Sequence, residues 1–168
     1  MSRRHRPDAA AMTALKLPAV DPASLPPVEQ TGYPDGLRER VKGRARRRLG
    51  DACGLKQFGV NLTTLQPGTH SALRHWHTLE DEFIYVVSGE LVLVTDGGEQ
   101  LLRPGQCAGF PAGVRDGHCL VNRSSAPAQY LEVGSRVPGD TAGYPDDDLA
   151  LVVTPEGERF CHRDGRPY

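Results

Sequence analysis

From Lys56 to Arg136 the chain runs in short β-type segments interrupted by glycine and proline, and this punctuation limits the possible folds more than any other feature. Phe58, Val60 and Leu62 alternate before Pro67-Gly68 turns the chain. Glu82 to Val87 and Leu91 to Thr95 flank Ser88-Gly89-Glu90 as a hairpin, and Asp96-Gly97-Gly98 turns tightly into Gln100 to Arg103. Pro104-Gly105, Pro111-Ala112-Gly113 and Ser124 to Pro127 mark further turns, and Gln129 to Val133 is the last core strand. Strands at this spacing predict an antiparallel sandwich or barrel. The 19 glycines and 14 prolines among 168 residues, about a fifth of the chain, exclude helical bundles and coiled coils, whose helix interiors tolerate neither residue well.

The flanks read differently. Pro22, Pro26, Pro27 and Pro34 prevent a long helix, so residues 1–36 read as an extended arm, mobile before about residue 20. Leu37 to Leu49, ended by Gly50, reads as a short helix. The predicted organisation is an N-terminal arm and helix over 1–50, a barrel over 51–136 and a tail over 137–168. In the tail, Leu149 to Val153 and Arg159 to His162 form a hairpin around Pro155-Glu156-Gly157.

Net charge is −1, but residues 1–50 carry +6 and residues 51–168 carry −7. The densest basic piece, Arg44-Ala45-Arg46-Arg47-Arg48, reads as a solvated helical face that docks on an acidic body. No nucleic-acid motif accompanies it, so no nucleic-acid partner is expected. No apolar run reaches the ~20 residues of a membrane span. No signal-length apolar segment follows Arg3, Arg4 and Arg6, and a cytoplasmic location without membrane contact is expected. The four cysteines are dispersed and form no CxxC pair, so they read as free thiols. Phe83, Tyr85 and Val87 alternate with Ile84 and Val86, making one strand apolar on both faces. A homodimer with exchanged arms is expected to cover the outer face.

Of six histidines, His75 and His77 stand two apart in a stretch that reads as a strand, which puts both rings on one face. Glu82 opens the next strand, and His118 starts a later one after a glycine-rich loop. Three imidazoles and a carboxylate suit Fe(II), Mn(II), Ni(II), Co(II) or Zn(II), and four ligands leave positions open for catalysis in an octahedral site.

Gly68, His75-x-His77, Glu82 and Gly89 resemble the first cupin motif, and Gly105, Pro111-x-Gly113, His118 and Asn122 resemble the second. Six residues separate Gly68 from His75 and four separate Gly113 from His118, one and two more than is usual; both insertions fall in loops. The resemblance implies an all-β, antiparallel double-sheet jelly-roll barrel of about six to eight strands. Its mouth would hold one divalent metal ion on His75, His77, Glu82 and His118. Asn122 is expected to fix local backbone, and Cys119 to point away from His118.

The stretches Arg74-His75-Trp76-His77, Glu80-Asp81-Glu82-Phe83, Ala108-Gly109-Phe110-Pro111-Ala112-Gly113 and Leu131-Glu132-Val133-Gly134 are similar to single-domain bacterial cupins named provisionally as sugar-phosphate isomerases, mannose-6-phosphate-isomerase-like. That resemblance implies a metal-dependent enzyme acting on a small polar substrate such as a sugar or sugar phosphate. The alternatives are an Fe(II) dioxygenase and a non-catalytic metabolite-binding cupin, for which the same four side chains would serve. No catalytic residue is singled out: Glu80, Asp81, Asp116 and Glu132 all remain candidates for the base. A phosphate would want an arginine near the mouth, and Arg74 and Arg115 are available, although a surface ion pair is the expected state of each.

Overall fold

Alternation along β4 (Glu82–Ser88) decides which side of the main sheet is the inside. Ile84 and Val86 are buried, whereas Phe83, Tyr85 and Val87 on the other face are each about 40 % exposed. The structure is a computed structural model that describes residues 15–154 and 157–168. The expected mobility of the arm falls largely on residues 1–14, outside the described residues. Pro155 and Glu156 of the predicted tail turn also lie outside them.

The strands are β1 (Arg44–Arg48), β2 (Phe58–Leu65), β3 (Trp76–His77), β4, β5 (Leu91–Thr95), β6 (Gly98–Leu102), β7 (Cys107–Phe110), β8 (Cys119–Val121), β9 (Ala128–Ser135), β10 (Thr141–Gly143), β11 (Ala150–Thr154) and β12 (Gly157–Cys161). One sheet has the order β1-β2-β9-β4-β7. Facing it are a three-stranded piece, β6-β5-β8, and a four-stranded piece, β12-β11-β10-β3. A backbone bridge between His75 and His118 joins these two pieces. All the pairings are antiparallel, so the predicted double-sheet barrel is observed.

Two apolar clusters fill the interior. Leu65, Ile84, Val86, Leu91, Leu93, Leu102, Leu120 and Tyr130 pack between the sheets. Tyr33 and Val41 from the arm pack with Leu73, Tyr144, Leu149 and Leu151 at the other end. The arm therefore closes one end of its own barrel. Outside, the register stacks Val60, Val133 and Phe83 in one row and Leu62, Leu131 and Tyr85 in the next, and this apolar face is only partly covered within one chain.

The helix expected over Leu37 to Leu49 is not there. Arg38–Val41 forms a single 3-10 turn, and Gly43, at φ 94°, breaks the chain before Arg44–Arg48 enters the sheet as β1. The short α-helix is Leu49–Ala52, immediately after it. Arginine is a good helix former, which favoured the helical reading, but two-sided pairing overrides propensity. β1 bonds along its length to β2, and Arg46 also exchanges both backbone hydrogen bonds with Val28 of the arm, at 2.8 and 2.9 Å. Period two then sends Arg44 and Arg46 inward and Ala45 and Arg47 outward, so the basic run is not a solvated helical face.

Candidate metal centre

The seam between the two pieces of the second sheet positions two of the histidines. His75 and His118 exchange backbone hydrogen bonds of 3.1 and 2.8 Å, which sets their side chains next to each other. β3 carries His77 opposite Ala142 of β10. Glu82 enters from the other sheet, paired with Phe110 on one side and Gly134 on the other. Glu82 Oε2 lies 2.9 Å from His118 Nε2, 3.6 Å from His75 Nε2 and 3.8 Å from His77 Nε2. The three rings thus surround one Glu82 oxygen; His75, His77 and Glu82 have ligand atoms within 4.8 Å of one another, and His118 joins them through Glu82.

Their orientation is fixed from behind. His75 Nδ1 lies 2.8 Å from the Leu73 carbonyl oxygen, and His77 Nδ1 lies 2.5 Å from Asp140 Oδ2. Both partners are acceptors, so each ring carries its proton on Nδ1 and presents a lone pair at Nε2. Phe110 stacks flat on His118 with ring centroids 3.5 Å apart, and Tyr144 stacks on His75 at 5.7 Å. The Nδ1 atom of His118 is buried without a hydrogen-bond partner among the described residues. Ring-nitrogen lone pairs crowded around one carboxylate repel each other unless a proton or a cation lies among them. The donor set thus fits a divalent cation of borderline hardness.

The electrostatics agree. Burial alone would raise the Glu82 carboxyl, but the hydrogen bond from His118 and the nearby His75 and His77 outweigh it and hold it down to about 2. Burial pushes His75 down to about 4, against the attraction of Glu82, so this ring is neutral at physiological pH. His77, Glu80 and Asp140 form a second group with atoms within 4.8 Å of one another. Its Asp140 carboxylate is already engaged, accepting from the Leu79 N–H at 2.7 Å and from Thr78 Oγ1 at 3.1 Å besides meeting His77.

Asp140, only 1 % exposed, is a residue that sequence reasoning missed. It comes from the tail, 63 residues beyond His77, and no motif marks it. Arg44 and Arg46 were missed as well. They line the cavity of about 660 Å³ that also contains the three histidines and Glu82.

The remaining candidates separate cleanly. Glu80 and Glu132 line the cavity. Both Glu132 oxygens are engaged: Oε1 accepts from Asn61 Nδ2 and faces Arg46 Nε, each at 2.8 Å, and Oε2 accepts from the Tyr130 hydroxyl at 2.9 Å. Among the described residues Glu80 accepts only the Val137 N–H, through Oε1, and burial raises its carboxyl. Asp81 is turned to the Ala112 N–H, and Asp116 caps the Asp96 N–H on the surface. Arg74 forms ion pairs with Asp96 and Asp146, the expected surface state, and Arg115 lies over the Trp76 ring. Asn122 is fully buried and donates to the Leu65 and Ala126 carbonyls, a backbone-fixing role.

Cys119 is buried, and burial pushes its thiol up to about 11. Since the thiolate is the reactive form, iodoacetamide at neutral pH is expected to alkylate the exposed Cys53 and Cys107 while sparing Cys119 until the chain is denatured. Mass mapping of the labelled peptides checks this, and native labelling at Cys119 would contradict the burial.

Comparison with known proteins places these features. The cupin domain family matches residues 61–134. The crystal structure of a sugar phosphate isomerase from a cupin superfamily, from Silicibacter pomeroyi, is 48 % identical. The match covers 90 % of this chain and 96 % of that one, with a TM-score of 0.87. A provisionally named sugar phosphate isomerase from Acidithiobacillus ferrooxidans is 28 % identical over 74 % of this chain and 80 % of its own, with a TM-score of 0.68. The polyketide cyclase RemF from Streptomyces resistomycificus shares the fold at 22 % identity, over 70 % and 78 % of the two chains, with a TM-score of 0.58. No curated protein matches.

Proposed function

The chain belongs to the cupin superfamily, and on that footing we propose that it is a metal-dependent enzyme that isomerises a small polar metabolite, a sugar or sugar phosphate. The observation that carries this reading is the convergence of His75, His77, Glu82 and His118 on one point inside a polar cavity large enough for a small metabolite. These four residues would hold one divalent ion, of zinc, manganese, iron, nickel or cobalt. When bound, such an ion supplies Lewis acidity toward neighbouring hydroxyl and carbonyl oxygens.

Aldose–ketose isomerisation moves a proton between adjacent carbons, so a base must face the cavity. Glu80 is the candidate that the geometry favours, because its second oxygen has no hydrogen-bond partner among the described residues, whereas both oxygens of Glu132 are engaged. Phe110 and Tyr144 cover two of the imidazoles and keep water off their flanks. The test is solvent deuterium incorporation beside the carbonyl of aldose phosphates, followed by NMR with manganese- or zinc-loaded protein under anaerobic conditions. Exchange that needs the metal supports the reading. Oxygen consumption by the iron-loaded protein without any exchange overturns it.

Asp140 supports the same site from outside. Asp140→Asn keeps the side-chain shape but cannot accept from both His77 and the Leu79 N–H. It is expected to weaken divalent-metal affinity by about 10- to 100-fold with little change in the unfolding midpoint. Competition against a chromophoric chelator measures this, and unchanged affinity would remove Asp140 from the site.

The exposed Phe83, Tyr85 and Val87 beside Leu131 and Val133 support a homodimer formed through this sheet face. Light scattering at micromolar concentration is expected to give twice the 18.3 kDa chain mass. Tyr85→Lys is expected to return it to the monomer value, and a monomeric parent protein would exclude the dimer.

No helix among the described residues is long and apolar enough to cross a membrane.

A further inference from the structure

We propose that Arg44 and Arg46 on β1 form the seat for the anionic end of the substrate, and that this end is a phosphate monoester. The inference rests on the metal-dependent reading above and adds the group that the arginines recognise. Arg44 is only 3 % exposed and lines the cavity. Its guanidinium donates to the Ser71 carbonyl oxygen, and among the described residues no carboxylate lies within ion-pair distance of it. A buried cation held by one neutral acceptor is unfavourable unless something else supplies the opposite charge.

Arg46, two residues along on the same face, has its Nε 2.8 Å from Glu132 Oε1, while its terminal nitrogens meet no acceptor among the described residues. Glu132, the carboxylate that meets Arg46, is already shared with Asn61 and Tyr130. The other two arginines of the cavity wall are engaged elsewhere. Arg136 binds Asp51 and the Leu55 carbonyl, and Arg48 faces Asp51 at 3.9 Å.

The chemistry of the seat follows from charge and shape. Four arginines and four carboxylates line the cavity, and Asp51 beside it takes up Arg48 and Arg136, which leaves Arg44 and Arg46 to meet an anion. Two guanidiniums on one face of β1 supply donors for the three terminal oxygens of a phosphate monoester dianion, whereas a single carboxylate fills only one fork. Guanidinium forks also match the oxygens of a phosphate in geometry. The substrate would span the cavity, with its hydroxyl and carbonyl oxygens toward His75, His77, Glu82 and His118 and its phosphate on β1. Burial, together with the repulsion of Arg46, already pushes the Arg44 guanidinium pKa down, the direction expected for a charge that lacks its counterion.

Calorimetric titration of the full chain with inorganic phosphate tests this, using the metal-loaded and metal-free protein and acetate as the carboxylate probe. The parent is expected to bind one phosphate. Arg44→Met and Arg46→Met should each lose at least tenfold in affinity at unchanged metal content, while Arg74→Met, whose guanidinium is tied to Asp96 and Asp146 on the surface, should match the parent. Acetate should bind at least tenfold more weakly than phosphate. Phosphate affinity that is equal in the parent and in Arg46→Met overturns the seat, and so does acetate binding as tightly as phosphate. Arg44→Lys replaces Arg44→Met if the latter does not fold, and is expected to lose affinity because the fork is gone. If the parent retains no metal, the metal reading fails by itself; the metal-free titration still measures whether phosphate depends on the arginines.

Discussion

His75→Ala, His77→Ala and His118→Ala are each expected to yield a folded barrel that has lost on the order of 100-fold or more in divalent-metal affinity. The effect is large because each side chain also holds its neighbours in place. His118 Nε2 and His75 Nε2 meet the same Glu82 oxygen, at 2.9 and 3.6 Å, so removing either ring releases the carboxylate as well. The fold survives because the aliphatic cluster of Leu65, Val86, Leu91 and Leu120 contains none of these residues. Glu82→Gln keeps the shape and removes the only formal negative charge among the four, so it is expected to weaken binding too. His70→Ala and His162→Ala are the controls; His162 is occupied with Asp148, at 2.8 Å on the outside. Elemental analysis after a common metal load compares the six variants. Full occupancy in His118→Ala, or loss in His162→Ala alone, would show that the ligands are other residues.

Gly89→Ala is expected to destabilise the protein by about 2–5 kcal/mol, the sum of backbone strain and a forced contact. Gly89 sits at φ 74° in the β4–β5 turn, a conformation that costs an L side chain about 1–2 kcal/mol. A Cβ there would also lie 2.7 Å from Ala128 Cβ and 2.8 Å from its Cα, against the fully buried start of β9. Gly54 has the same φ of 74° with nothing within 4 Å of its added Cβ. Gly54→Ala therefore measures the strain alone, and the difference between the two variants measures the contact. Urea unfolding gives both values. Equal losses would mean that Ala128 and the turn yield at no cost.

The barrel was legible because its two determinants are local. Alternation such as Phe58-Val60-Leu62 and turns such as Pro67-Gly68 depend on nearest neighbours, and both survive in the structure. The four-residue cluster was legible because the cupin spacing ties His75, His77, Glu82 and His118 to strand starts. What failed depended on pairing. Arg44 to Arg48 carries no apolar residue except Ala45, so neither helix nor strand periodicity shows in it, and only its two neighbours, Val28 and β2, make it a strand. Once the register of β1 was hidden, so was the inward turn of Arg44 and Arg46, because a one-residue slip exchanges inside for outside. Asp140 was hidden by distance: its partner is 63 residues earlier, in a part of the chain with no pattern in common.

The bridge between His75 and His118 holds together two pieces of sheet that otherwise have separate ladders. A pair of backbone hydrogen bonds is a weak clasp for a seam of that kind, and the side chains directly above it belong to the site. A ligand held by both rings would therefore also tie the two pieces together. Stiffness and chemistry share one address: a substitution that parts His75 from His118 would also loosen the tie between β8 and the panel of β3 with β10 to β12.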